Sequence, residues 1–413
     1  MSSEPFERSA QVTDQAIQPP EIKKAAKPNM PLLGLLALGH MVIDINGGSI
    51  AALLPFLKSA LSLSYTSAGA IILMSNVTSS LIQPLFGYFA DKTARRWILP
   101  VSVFLASLGM ALTGLATSYV MVLTLVVISG IGIASYHPEG YRTATQVAGE
   151  RKATGVSIFS SGGNLGIALG PPIITALVTA FGLHGTLGLL IPGTVTALLL
   201  YAALPRFTPA PTAHEKQESS SVVENSLFGM SILVIVVMLR SWTQTGFSTL
   251  IPFYYLDVLK GDPRMVGTLL AVFLGSGAIG TLVSGPIADR VGVRRYAVGV
   301  FLLATPLAIG FLYARGVWIY IVLGALGFVL ISTFTVTVVL AQSYMPRNLG
   351  MASGMIVGFA TGAGGVGATV LGSVADHMGL RTALWISALM PLAAFAVSIW
   401  LPEPRKGNSG SGT

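Results

Sequence analysis

Twelve long apolar stretches, spaced along the whole chain, constrain this sequence more than any other feature. They run over 31–57, 66–89, 97–116, 119–146, 154–181 and 185–205, and again over 227–256, 265–288, 296–314, 317–344, 351–375 and 381–401. Each comes close to the roughly 20 helical residues needed to cross a hydrocarbon layer of about 30 Å. In lipid, only helices and closed barrels satisfy every backbone N–H and C=O. The expected fold is therefore an all-α membrane protein with twelve transmembrane helices. Composition agrees, since only 10% of the 413 residues are charged, against about a quarter in a soluble domain.

The polar segments between these runs set the organisation. Residues 1–30 form an N-terminal tail punctuated by Pro5, Pro19, Pro20 and Pro28, without the apolar core of a cleaved signal. Residues 206–226 are rich in proline and serine, which describes a flexible linker between two six-helix bundles, 31–205 and 227–401. Residues 402–413 form a second tail.

A formal charge of +8 can signal nucleic acid, but here the basic residues follow topology and no nucleic-acid partner is expected. With the N-terminus inside, the inner segments hold Arg8, Lys23, Lys24, Lys27, Lys92, Arg95, Arg96, Arg151, Lys152, Arg206, Lys216, Arg290, Arg294, Arg295, Arg347, Arg405 and Lys406. The outer loops hold only Lys58, Lys260, Arg264, Arg315 and Arg381. This positive-inside bias places both termini and the linker in the cytoplasm, with an even number of spans. The absence of cysteine removes disulfides and thiolate metal sites from consideration.

The two halves repeat one another. Gly87-Tyr-Phe-Ala-Asp91-Lys-Thr-Ala-Arg95-Arg96 follows the second span, and Gly285-Pro-Ile-Ala-Asp289-Arg-Val-Gly-Val-Arg294-Arg295 follows the eighth, 198 positions later. Ala153-Thr-Gly-Val-Ser-Ile-Phe159 is echoed by Ala352-Ser-Gly-Met-Ile-Val-Gly358 at a displacement of 199, and Phe181-Gly-Leu more weakly by Met378-Gly-Leu. Three echoes at nearly one offset indicate duplicated six-helix halves.

The paired loop motif resembles the signature of the major facilitator superfamily, roughly G-x-x-x-D-[RK]-x-G-[RK]-[RK]. Ala94 stands where that pattern has glycine, and the second copy keeps Gly292 with one residue inserted before its arginines. The resemblance covers nearly the whole chain and implies two pseudo-symmetric six-helix bundles working by alternating access. Gly39-His-Met-Val-Ile-Asp44, Tyr136-His-Pro-Glu-Gly-Tyr-Arg142 and Gly162-Gly-Asn-Leu-Gly-Ile-Ala-Leu-Gly-Pro171 are similar, more narrowly, to the fosmidomycin-resistance group of bacterial exporters. That similarity implies export of a small, phosphonate-like compound, although one fold serves many substrates.

Several embedded polar residues are candidates for the chemistry. Asp44 lies at the middle of the first span, and an intramembrane carboxylate must face water, pair with a base or bind a proton. It is a candidate proton-coupling group; the alternative is a structural carboxylate. His40 precedes it by one helical turn and either shares the proton or holds the carboxylate in place. In the fourth span, His137 and Glu139 join the proton-coupling candidates. Glu139 and Arg142 are spaced to neutralise each other, and the resemblance brings this span beside the first; the competing reading is a salt-bridge patch at the cytoplasmic rim. Arg142, Arg240, Trp242 and Gln244 are substrate-binding candidates, with Arg240 suited to gripping an anion through paired hydrogen bonds. Tyr254 and Tyr255 are discounted as interface anchors.

Gly87, Asp91, Arg95 and Arg96, with Gly285, Asp289, Arg294 and Arg295, are expected to form charged gating loops. Gly162, Gly166, Gly170 and Pro171, with Gly354, Gly358 and Gly362, are expected to allow close helix packing. Gly166–Pro171 partly resembles the superfamily's antiporter motif but lacks its trailing glycine pair. No P-loop is present, and the histidines show no carboxylate pairing of the zinc-catalytic kind, so neither an enzyme, a metal nor a cofactor is expected. The expected activity is proton-coupled efflux of a small molecule by a monomer in the bacterial inner membrane, driven by the proton gradient and surrounded by lipid. Proton-coupled uptake of an organic anion or sugar, a lipid flippase, and a membrane sensor are the alternatives.

Overall fold

A computed structural model describes residues 28–83, 85–86, 95–149, 151–207 and 225–403. The described residues are helical throughout most of their length, with no strand among them. In the first half the helices are α1 (Met30–Leu61), α2 (Tyr65–Asn76, extended by a π turn over Val77–Leu81), α3 (Ile98–Leu112), α4 (Tyr119–Val147), α5 (Lys152–Phe181) and α6 (Leu190–Ala203). In the second half they are α7 (Leu227–Phe253), α8 (Val266–Val291), α9 (Val293–Tyr313), α10 (Trp318–Tyr344), α11 (Met351–Met378) and α12 (Leu380–Ser398).

Ten helical stretches among the described residues are long and apolar enough to cross a membrane. One of them, Thr154–Arg206, contains both α5 and α6. Adding α2, whose far end runs into residues outside the described set, the arrangement is consistent with the expected twelve spans. The helix starts are marked by side-chain caps. Asn29, Ser64, Ser118 and Ser226 each accept a first-turn N–H, at α1, α2, α4 and α7. Large apolar side chains such as Val120, Leu198, Leu282 and Leu303 point outward uncovered, as a lipid-facing surface requires.

The duplication read from the sequence governs the packing. In the first half α1 packs on α5 and α3 on α6; in the second half their counterparts, α7 on α11 and α9 on α12, do the same. The two halves meet through α2 against α11 and α5 against α8, a pair of contacts that exchange with each other when the halves are interchanged. Even the weakest echo is structural. Gly182 and Gly379, at matching positions after α5 and α11, both adopt positive φ, +62° and +88°, where residues with a Cβ are strained.

The glycine stripe of α5 behaves as expected, since a Cβ on Gly162, Gly166 or Gly170 would collide with the backbone of α1 at Ala37, Met41 and Ile45. The expected partner stripe in α11 is displaced. Gly354 and Gly362 have nothing near them, and Gly358 meets only Ser80 O at 3.7 Å. A π turn over Met355–Ala360 shifts the helical phase there. The close contacts fall about one and three turns beyond Gly362, where Gly365 meets Leu73 and Gly372 meets Tyr65, both on α2.

Candidate functional site

Three side chains from two helices converge about halfway along the bundle. α1 supplies His40 and Asp44, one turn apart on one face, and α4 supplies His137. His40 Nε2 lies 3.3 Å from Asp44 Oδ2, and His137 Nε2 lies 3.4 Å from Asp44 Oδ1. His40 and Asp44 are buried, at 4% and 8% exposure. Two histidines therefore meet one carboxylate, although the sequence showed no histidine–carboxylate pairing of the zinc-catalytic kind; spacing gave the α1 pair, and the resemblance alone brought α4 beside it.

The third wall is α5. The His40 ring stacks on Phe159, with centroids 4.2 Å apart, and Tyr141 meets both rings edge-on. His40 Nδ1 contacts the Phe159 carbonyl oxygen at 2.8 Å. A carbonyl only accepts, so Nδ1 is the protonated nitrogen of this bond. Nε2 of a neutral His40 would then present a lone pair to Asp44 Oδ2. Two lone pairs facing across 3.3 Å attract only if a cation lies between them. The His40–Asp44 pair is thus built to hold one positive charge more than a neutral histidine and a carboxylate supply.

Gly163 makes room for this pair. A Cβ there would stand 2.5 Å from His40 Nε2 and 2.7 Å from Asp44 Oδ2. Its sequence signal was the Gly162-Gly163 doublet, of which only the first member fitted the four-residue stripe.

The trio borders a cavity of about 460 Å³ shared by the two halves. From α2 and α5 it is lined by Asn76, Ser79, Gln83 and Asn164, and from α7 by Gln244 and Thr249. Its lining reaches Gln83 towards the end of the bundle where α1 begins. At the opposite end it is shut, because Gly69 sits on Ala368 and Tyr65 and Thr66 are bonded to Asp376.

Other candidates fall elsewhere. Gln244 lines the cavity, whereas Trp242 does not and packs against Gly367 instead. The 198-residue displacement carries Asp44 onto Trp242, so the titratable cluster has no counterpart in the second half. Glu139 turns away from Asp44, and Arg142 Nη1 lies 3.8 Å from Glu139 Oε2. Neither lines the cavity, which favours the structural reading of that pair. Arg240 is 1% exposed and also outside the lining. Its side chain has only a long contact to Ser241 Oγ, 3.4 Å, and the Phe334 ring at 5.8 Å. No carboxylate lies within 4.0 Å of it among the described residues. The expected anion grip is absent from this conformation because the side chain is directed into helix packing.

Of the gating residues, Gly87 and Asp91 lie outside the described residues. Arg96 bonds to the Phe207 carbonyl and to Gln146 Oε1. Asp289 and Arg295 are exposed, and Gly285 has open space around it. Arg294 holds the end of α12 through the carbonyls of Leu401 and Ile399 and the Glu403 carboxylate at 2.9 Å. The second copy thus ties its loop to the chain's own last helix rather than pairing arginine with Asp289.

Comparison with known proteins fixes the family. The model of the Major Facilitator Superfamily matches residues 36–356 and 233–413. The chain belongs to the major facilitator superfamily. It is 32% identical over 387 residues to the fosmidomycin resistance protein of Escherichia coli K12, covering 92% of this chain and 95% of that one. It is also 32% identical over 393 residues to the MFS-type transporter YfnC of Bacillus subtilis 168, covering 93% and 96%. Among solved structures, a bacterial homologue of the human lysosomal transporter Spinster, in an inward-facing and occupied conformation, superposes with a TM-score of 0.75 at 15% identity, covering 90% of this chain and 96% of that one. A mutant form of the nucleoside transporter NupG gives 0.73 at 16%, covering 89% and 99%. The chain is a multi-pass membrane transporter of this superfamily.

Proposed function

We propose that this chain exports a small drug-like or anionic compound, such as a fosmidomycin-like phosphonate, in exchange for protons across the bacterial inner membrane. Both termini face the cytoplasm in this reading. The observation that carries it is the His40–Asp44 pair, which needs one added positive charge and borders the cavity between the halves. A proton reaching Asp44 fills that need, and its departure leaves two lone pairs in opposition. Protonation therefore changes the stability of the α1–α4–α5 packing by an amount that alternating access can use.

The lining also bears on substrate. Among the described residues the cavity presents neutral polar groups, and its only ionisable ones are His40, Asp44, His137 and Tyr141. No arginine or lysine is among them, so the charge of an anion would be met by the protonated histidines. Substrate and proton then influence one another directly at one site. The similarity to the fosmidomycin resistance protein, at 32% identity, supports export as the direction and a phosphonate as a first substrate.

The test is a susceptibility panel, fosmidomycin included, on cells expressing the chain with and without a protonophore. Inside-out vesicles with an imposed pH gradient complete it. Resistance that vanishes with the protonophore, and vesicle uptake driven by an acidic interior, are expected. Gradient-independent transport would overturn the coupling, and uptake in intact cells would reverse the direction.

A further inference from the structure

We propose that His40, Asp44 and His137 form a binding site for a divalent transition-metal ion such as Zn²⁺, Ni²⁺ or Co²⁺, with its open side towards the cavity. The donor atoms of the three residues all lie within 4.8 Å of one another. The two contacts to the carboxylate, 3.3 and 3.4 Å, exceed the roughly 2.7–2.9 Å of a charge-assisted hydrogen bond. They match instead the spacing of about 3.3–3.4 Å between neighbouring ligands around a tetrahedral ion held at about 2.0–2.1 Å.

At His40 the environment is that of a metal ligand. His40 gives its Nδ1–H to the Phe159 carbonyl, as metal-bound histidines generally give their second nitrogen to a carbonyl or carboxylate, leaving Nε2 with a lone pair for the ion. The ring is further held by its stacking on Phe159. Gly163 leaves free the space beside Nε2 and Oδ2 that a Cβ would fill. Two imidazoles and one carboxylate suit borderline ions and disfavour Mg²⁺ and Ca²⁺, which take oxygen ligands. All three residues line the cavity, so the remaining coordination position faces it and accepts water or a substrate oxygen. The positive charge that the His40–Asp44 geometry requires is here supplied by the ion.

Ion and coupling proton would occupy the same place between His40 and Asp44 and so compete for it, but the two proposals fail separately, since metal binding is measured without any gradient. The experiment uses the purified full-length chain carrying no histidine tag, titrated calorimetrically with ZnCl₂ and with MgCl₂, and followed by visible spectroscopy with CoCl₂. One Zn²⁺ per chain is expected, with no Mg²⁺ binding. Co²⁺ should give d–d bands of a low-coordinate nitrogen and oxygen site, free of thiolate charge transfer because the chain has no cysteine. His40→Gln and His137→Gln should each weaken Zn²⁺ binding at least tenfold, whereas His184→Gln and His377→Gln, both at exposed positions, should leave it unchanged. Absence of saturable Zn²⁺ binding to the wild-type chain, or a Co²⁺ spectrum indistinguishable from the aqueous ion, overturns the proposal without reliance on any variant. Retention of full affinity in both His40→Gln and His137→Gln overturns it as well.

Discussion

Asp376, at the end of α11, grips Thr66, in the first turn of α2, with one carboxylate oxygen that accepts both its backbone N–H at 2.8 Å and its hydroxyl. The other oxygen accepts the Tyr65 N–H at 2.8 Å, and the Tyr65 hydroxyl donates to Asp257 at 2.7 Å. A carboxylate from one half thus satisfies the unpaired amides of a helix start in the other, where the helix dipole also favours negative charge. These bonds shut the end of the cavity opposite the start of α1.

Asp376→Ala should loosen that end. The three bonds to Asp376 are solvent-exposed, where each contributes about 0.5 kcal/mol, so losing them shifts the balance between closed and open by roughly tenfold. Spin labels on cysteines introduced at Ser62 and Met378 report the separation cleanly in a chain with no native cysteine. A longer-distance population should appear in the variant; an unchanged distribution would mean the apolar α2–α11 contact alone holds the gate.

Gly163→Ala and Gly362→Ala form a matched pair. The first puts a methyl within 2.7 Å of both His40 Nε2 and Asp44 Oδ2, whereas the second meets nothing within 4 Å. Transport should fall severely in Gly163→Ala, with His40 displaced from Phe159, and stay near wild type in Gly362→Ala. Equal tolerance at both positions, measured as transport per folded protein, would remove Gly163 from the site.

Arg240→Met tests whether the buried guanidinium serves the substrate. With its Nε and Nη1 unpartnered and no carboxylate within 4.0 Å among the described residues, this charge carries a desolvation cost of several kcal/mol that the long Ser241 contact and the Phe334 ring offset only in part. Methionine fills similar volume without that cost. A raised melting temperature with unchanged substrate affinity is expected. A loss of affinity for anionic substrates, with stability unaltered, would return Arg240 to the binding site in another conformation.

What could be read in the sequence divides along physical lines. The spans were legible because hydropathy depends on local composition, and α4 at Tyr119–Val147 differs from its expected 119–146 by one residue. Asp44 and His40 were legible because an i,i+4 pair needs no tertiary information. The approach of His137 was expected only through the resemblance, since no local rule relates α4 to α1. The stacking of His40 on Phe159 left no trace, because aromatic residues are common in apolar runs. Glu139 and Arg142 illustrate the opposite limit. Two residues beyond His137, Glu139 lies on another face of α4, and depth along the helix could not reveal which face meets the cavity.

Topology is open to a direct check. The basic residues concentrated in the termini, the linker and alternate loops predict that reporters fused after Pro205 and after Leu401 both signal cytoplasm. A reporter at Lys260 should signal the other side. An external signal after Leu401 would require an odd number of spans and would separate the two halves' orientations.

Asp44→Asn separates energy coupling from substrate movement. The amide keeps the size of the carboxylate, so the α1–α5 packing around Gly163 and Gly166 has no steric reason to change. It cannot gain or lose a proton, however, and its amide N–H can donate to the lone pair of His40 Nε2 without any added cation. The conflict of lone pairs that requires a positive charge is thereby removed permanently. Gradient-driven transport in vesicles should vanish, while exchange of labelled for unlabelled substrate, which needs only the cavity and the moving halves, should persist. His40→Gln should give a milder defect, because Asp44 retains His137 at 3.4 Å as a proton partner. The same pattern should appear in the pH dependence of transport, steep in the wild type and flat in Asp44→Asn. Full gradient-driven activity in Asp44→Asn would assign the carboxylate to structure and move the proton site elsewhere. Loss of exchange together with gradient-driven transport in a well-folded Asp44→Asn variant would instead mean that the carboxylate contacts the substrate itself.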